Sequence, residues 1–219
     1  MSHHVLSRRS LLSVAAGSLA LGAPGMAFAQ RKADAPIPLD ELMKPDALGD
    51  LVLGKADAPC TIVEYASMTC GHCGHFHNTV FPTIEEKYIA TGKVRFIMRE
   101  FPLDTLAAAA SMLARCAGGD KTIPMIKVLF AKQEEWAFVR TNAVPELFKI
   151  AKQAGFTQES FDKCLTDQAL LDKISQGRER ASKQFGVDAT PTFFINGKRL
   201  KDGPTLEAFD KAIAEVVKS

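Results

Sequence analysis

The chain has 219 residues, of which 27 are basic and 25 acidic, with 47% hydrophobic residues, five cysteines and a formal net charge of +2. Such a near-balance leaves no electrostatic footprint for nucleic acid or for a polybasic membrane contact. The length suits one ordinary domain or a domain carrying a large insertion.

The first residues contain Arg8 and Arg9 and no acid, and an apolar stretch from Leu11 to Phe28 closes on Ala27-Phe28-Ala29. This reads as an export signal over residues 1–29, cleaved before Gln30. Gly17, Gly22, Pro24 and Gly25 interrupt the apolar run, which argues against a permanent membrane span. Ser7-Arg8-Arg9-Ser10-Leu11-Leu12 resembles a twin-arginine signal, with an ordinary secretory signal as the alternative. Either route leads out of the cytoplasm. Removing Arg8 and Arg9 takes the 27 basic residues to 25, equal to the acids.

Residues 30–48 carry Pro36, Pro38 and Pro45 among mixed charges and are expected to form a tether or short arm. Leu51-Val52-Leu53 predicts a short strand. Cys60 to Ala66 is apolar on both faces, as a central parallel strand would be, apart from Glu64. After Cys70-Gly71-His72-Cys73 a helix is expected to run to about Ala90, kinked at Pro82. Lys93 to Arg99 alternates Val94, Phe96 and Met98 with other residues and predicts a third strand.

From Asp104 to about Lys183 the pattern is helical almost throughout. The expected helices are a run of alanines capped by Asp104 and ending at Gly118-Gly119, then Lys121–Trp136, Asn142–Ala154, Thr157–Leu165 and Gln168–Gln184. Thr190-Pro191 then opens a strand at Phe193-Phe194-Ile195, Asn196-Gly197 turns it, and Lys198-Arg199-Leu200 returns as a hairpin. A last helix begins at Pro204 and runs to about Lys218. The order of elements predicts an α/β fold in which one sheet is interrupted by a helical insertion.

Two thiols three residues apart at the start of a helix point to redox chemistry. Cys70 sits where unpaired backbone amides and the positive end of the helix dipole favour an anion, so it is expected to be the thiolate. His72 is expected to lower its pKa further from the free value of about 8.5. Cys73, one turn inside, is the shielded resolving thiol. The same spacing also occurs in zinc sites, and His75 and His77 could complete a Cys2His2 set. Otherwise His77 reads as a packed or solvated helix histidine. Haem attachment is excluded because Gly74, not histidine, follows Cys73. Cys60 reads as a small buried hydrophobe. Cys116 and Cys164 both fall in the helical block, which makes a second disulfide an open possibility in an oxidising compartment, worth about 4 kcal/mol by chain entropy.

Together, a C-x-x-C after a buried strand and Thr190-Pro191 before a Phe-rich hairpin, in an exported chain, resemble the DsbA family of thiol:disulfide oxidoreductases. The match covers roughly Gly49 to Lys218. The resemblance implies a thioredoxin-like domain from residues 49–103 and 184–219, with residues 104–183 inserted as an all-helical subdomain. It implies that Pro191 is cis and faces the catalytic pair, and that the backbone of Thr190 pairs with substrate peptide. It makes Glu64 the buried acid that passes protons as Cys73 cycles, the alternative being that Glu64 reaches solvent or a lysine. It further implies a periplasmic enzyme that introduces disulfides into cysteine-containing exported proteins, needs no cofactor or metal, and is reoxidised by a quinone-linked membrane partner.

Two departures qualify the resemblance. Gly71-His72 stands where many members have Pro-His, and Thr190 where several oxidases have Val; both variations occur in disulfide isomerases. Isomerase or reductase activity is therefore the second reading, although residues 30–48 are short for the dimerisation domain of familiar periplasmic isomerases. A third is a metal-binding or chaperone-like module in which the thiols, His75 and His77 hold zinc or copper. Met68, Met98, Met112, Met125 and Trp136 are expected in the core, and Arg178-Glu179-Arg180 on a solvated helix face.

Overall fold

The computed structural model describes residues 36–217. The export-signal reading, residues 30–35 of the expected tether and the last residues of the closing helix lie outside them.

The sheet has five strands, β1 (Leu51–Leu53), β2 (Cys60–Ala66), β3 (Val94–Glu100), β4 (Thr192–Ile195) and β5 (Lys198–Arg199), in the order β1-β3-β2-β4-β5. β2 runs parallel to β3 and antiparallel to β4, and all seven of its residues are buried. A strand covered on both faces has no reason to alternate, which is why its sequence is nearly all apolar. The β4–β5 hairpin turns at Asn196 and Gly197, both with positive φ (43° and 84°). A Cβ on Gly197 would lie 2.0 Å from the Ile37 carbonyl oxygen, so glycine is required there.

Each face of the sheet carries its own core. One side gathers Ile62, Phe96, Met98 and Phe193 with the active-site helical segment and much of the insertion. The other gathers Val63, Tyr65, Ile97 and Phe194 against Ile37, Leu42 and Phe185. On this second side buried Arg99 binds both carboxylate oxygens of Asp50 (2.7 and 3.0 Å) and the Tyr65 hydroxyl (2.9 Å). A guanidinium fork so satisfied removes the main cost of burying its charge.

The segment expected as a tether or short arm is packed from residue 36 onward. The Ile37 amide donates to the Gly197 carbonyl, α1 (Leu39–Leu42) buries Leu42, and Arg180 binds the main-chain carbonyls of Glu41, Lys44 and Pro45. Two apolar residues and a guanidinium thus outweigh the prolines. It follows that Arg180 does not belong to a purely solvated face; Arg178 likewise lies over the Phe101 ring.

After Cys70 the chain forms α2 (Gly71–His75), a π-helical turn (Phe76–Val80), α3 (Phe81–Ile84) and a second π turn (Glu85–Ile89). Pro82 has no N–H and its ring crowds the carbonyl four residues earlier; a widened turn before it relieves both problems without ending the helix. The insertion comprises α4 (Thr105–Ala117), α5 (Thr122–Ala131), α6 (Gln133–Trp136), α7 (Val144–Gln153), α8 (Gln158–Leu165) and α9 (Gln168–Phe185). Asp104 caps α4, Thr157 and Ser160 form a capping box on α8, and Asp167 caps α9. A disulfide joins Cys116 of α4 to Cys164 of α8. The four named methionines and Trp136 are all buried, the indole donating to the Leu129 carbonyl. α10 (Leu206–Val217) closes the fold, two residues later than Pro204.

Candidate active site

Cys70 occupies the N-cap of α2 with extended backbone (φ −80°, ψ 116°), and its thiol lies 3.2 Å from the Thr190 carbonyl oxygen. The Thr190–Pro191 peptide bond is cis. Cys70 is 9% exposed and Cys73 fully buried, so the two sulfurs of the motif sit in different environments.

That difference separates their ionisation. The Cys70 thiol is lowered to about 5, first by a hydrogen bond from the Cys73 thiol, then by the Thr190 side chain and the backbone amides of Cys73 and His72. Burial opposes these effects without reversing them. The Thr190 hydroxyl has no other partner and its hydrogen is free to turn toward the anion. Cys73 is pushed well above its ordinary value, first by burial, then by the bond it gives to Cys70 and by Glu64 whenever that carboxyl is ionised. At neutral pH Cys70 is therefore an anion and Cys73 a thiol. The contribution of His72 comes from its backbone amide, while its imidazole is exposed.

His72 lines an open groove of about 580 Å³ together with His75, Val80, Pro191, Leu206 and Glu207. The groove places an extended surface beside Cys70. His75 is exposed, and no group of three or more His, Cys, Asp or Glu among the described residues is arranged to hold a metal ion.

Glu64 is 0% exposed in the middle of β2, opposite Met98 and Phe193. It does not reach solvent or a lysine. Its Oε2 lies 2.9 Å from Nε2 of His77, and that imidazole is buried and stacked on Phe130 at 4.3 Å between ring centres. His77 is thus neither a solvated residue nor a partner of the two thiols for a metal.

A thioredoxin family model matches residues 46–215. A Rickettsia bellii protein provisionally named a protein-disulfide oxidoreductase is 34% identical over 169 residues, 76% of this chain and 65% of that protein. The chain thus spans slightly less than two thirds of the length of the rickettsial relatives it matches. The crystal structure of alpha-DsbA1 from Wolbachia pipientis superposes with a TM-score of 0.75 at 34% identity, covering 82% of this chain and 96% of that one. The chain belongs to the DsbA family. BdbD of Bacillus subtilis shares the fold at a TM-score of 0.68 and 24% identity, covering 80% of this chain and 96% of that one.

In this DsbA-family chain the insertion also supplies a residue to the catalytic loop, which sequence reasoning missed. Gln133, buried at the start of α6, donates from Nε2 to the Met68 carbonyl (2.8 Å) and the Cys70 carbonyl (3.0 Å). It fits only because Gly74 has no side chain: a Cβ there would lie 2.3 Å from Gln133 Oε1. The signal available in the sequence was a glycine inside a helix that had no conformational need for one. Cys60, at the far end of β2, is buried and its thiol is raised to about 11 by burial, which removes it from the chemistry.

Proposed function

We propose that the protein is a periplasmic dithiol-disulfide exchange enzyme that oxidises cysteine pairs in exported proteins. The observation that carries this reading is the opposite displacement of the two thiols, Cys70 down to about 5 and Cys73 well up. A stable Cys70 anion stabilises the dithiol form, and a low-pKa thiol is a good leaving group, so the Cys70–Cys73 disulfide is oxidising.

In the proposed cycle a substrate thiolate attacks the Cys70 sulfur of the oxidised enzyme. The Cys70–Cys73 bond breaks, and Cys73 departs with the electron pair and takes up a proton. A second substrate thiolate then attacks the substrate sulfur of the mixed disulfide, forming the substrate disulfide and expelling the Cys70 anion. The substrate gains one disulfide and the enzyme is left as a dithiol, to be reoxidised by a quinone-linked membrane protein. Glu64, the one acid of the buried strand β2, serves as the proton source for its departure. The Thr190 backbone beside Cys70, together with the groove past Pro191, would hold the extended substrate.

Support for the compartment comes from the N-terminal signal pattern and from the Cys116–Cys164 bridge, a feature of proteins outside the reducing cytoplasm. The test is a redox titration of the full mature chain against glutathione, with oxidation of a reduced, unfolded substrate protein measured in parallel. The proposal expects a potential well above that of thioredoxin, about −270 mV, and rapid substrate oxidation. A potential near the thioredoxin value, with scrambled substrate disulfides corrected faster than dithiols are oxidised, would replace it with the isomerase or reductase reading.

A further inference from the structure

A carboxyl that supplies a proton to a catalytic disulfide has to exchange it with solvent on every turnover, and Glu64 is itself fully buried. Its neighbours across the sheet, Met98 and Phe193, are apolar. Its one hydrogen-bonding partner among the described residues is His77 Nε2. The outer atoms of this pair, Glu64 Oε1 and His77 Nδ1, are buried with no partner at all. Leaving two polar atoms of one hydrogen-bonded pair bare in a core costs stability, and a fold retains such atoms where they do something a methyl could not.

The placement of the pair says what. His77 lies one turn beyond Cys73 on the same helical segment, and Glu64 reaches from β2 to influence Cys73. His77 also lines a crevice of about 10 Å³, together with Phe81, Phe96, Ile126 and the half-exposed Lys127. That is room for roughly one water. Of Cys73, Glu64 and His77, His77 alone lines this crevice.

We infer that His77 is the second station of a buried proton path, carrying protons between Glu64 and solvent on the side of the sheet edge rather than through the substrate groove. The inference rests on the exchange reaction proposed above and on Glu64 serving Cys73. When Cys73 leaves the disulfide as a thiolate it takes the Glu64 proton. The carboxylate then takes the proton on His77 Nε2 while Nδ1, the outer atom of the pair, takes one from solvent. One proton has entered and one thiol has formed; the reverse sequence empties the path when Cys73 is oxidised. His77 acts through Glu64 and is a positioning and relay residue, not one that touches the reacting sulfurs. The titratable or charged groups facing it are Glu64 from β2, Cys73 from α2, and, across the crevice, Lys127 of α5, which is bound to Glu85 (2.7 Å). The rest of its surroundings are the rings of Phe76, Phe81 and Phe130.

The test is stopped-flow reduction of the oxidised full chain by dithiothreitol between pH 5 and 9, with rates corrected for the reductant's thiolate fraction, in wild type, Glu64→Gln, His77→Gln and the double variant. The inference expects His77→Gln to slow the step about tenfold at neutral pH. It also expects the variant to flatten the pH profile, to leave the Cys70 thiolate titration in place, and to add nothing to Glu64→Gln. A wild-type profile in His77→Gln, or a slowing uniform at every pH, overturns the relay while the role of Glu64 stands. If Glu64→Gln is itself as fast as wild type, the reading of Glu64 fails and the relay with it. Should His77→Gln not fold, nitrogen NMR of the wild-type His77 ring decides: the signal must differ between oxidised and reduced protein, and an identical ring in the two states overturns the relay.

Discussion

Gly74→Ala is the most informative single methyl that can be added to this protein. In an ordinary helix the change stabilises by about 0.5–1 kcal/mol, because alanine loses less backbone freedom on folding. Here the new Cβ would fall 2.3 Å from Gln133 Oε1 and 3.0 Å from its Cδ. The end of a flexible side chain usually swings away from such a clash at little cost. Gln133 cannot, since it is 6% exposed and held by two hydrogen bonds to the Met68 and Cys70 carbonyls. Displacing it forfeits about 1 kcal/mol for each of the two bonds, about 2 kcal/mol together. Set against the backbone gain, the net expectation is a loss of about 1–1.5 kcal/mol. In a Gln133→Ala background the obstacle is gone and the same substitution should stabilise by about 0.5–1 kcal/mol, a coupling between the two sites of about 2 kcal/mol. Urea unfolding of the four variants, all reduced, measures this directly. If Gly74→Ala stabilises equally in both backgrounds, Gln133 does not clamp the loop and the tie between insertion and active site is wrong.

Three further outcomes follow from the same structure. The Cys70 thiol is depressed in the folded state, so its contribution to the stability of the reduced protein is complete above its unfolded value near 9 and disappears as pH falls through about 5. Relative to Cys70→Ser the reduced protein should gain about 1.4 kcal/mol per pH unit across that window, near 3 kcal/mol at pH 7; Cys73 is protonated in both states below its unfolded value and adds nothing there. Replacing Cys116 and Cys164 together by alanine should lower stability by about 4 kcal/mol in denaturant unfolding while the Cys70 thiolate titration stays where it is. Arg180→Ala removes the grip on the Glu41, Lys44 and Pro45 carbonyls. It should cost about 1–3 kcal/mol and expose residues 36–48 to limited proteolysis.

The parts of the site legible in the sequence were those set by local spacing. Cys70 and Cys73 lie within one helical turn, and a strand before them that is apolar on both faces apart from Glu64 leaves few folds open, so the anion at the helix start followed from backbone electrostatics. Glu64 drew notice because one acid in a strand buried on both faces is costly, yet its partner stayed hidden: His77 pairs with it across an intervening loop and turn, and only the three-dimensional placement of that segment beside β2 brings them together. One clue existed, since His77 falls one turn after the buried Cys73 and so shares its face. Gln133 was further out of reach, contributed from a helix beyond the sheet. Between the tether and the short arm that Pro36, Pro38 and Pro45 left open the sequence could not choose, because Ile37 is held by Gly197 and the Glu41, Lys44 and Pro45 carbonyls by Arg180, long-range contacts that no local pattern records. The π turns around Pro82 have the same cause: periodicity marks a helix but not how it absorbs a missing donor.

The central claim is that one thiol of the pair is an anion at neutral pH and the other is not. Alkylation of the reduced full chain with iodoacetamide across pH 3 to 9, read by peptide mass spectrometry at both positions, tests it most directly. The account predicts that Cys70 is labelled with a midpoint near 5 while Cys73 stays unmodified. Labelling of Cys70 only with the midpoint of a free thiol, about 8.5, or modification of Cys73 first, would contradict it.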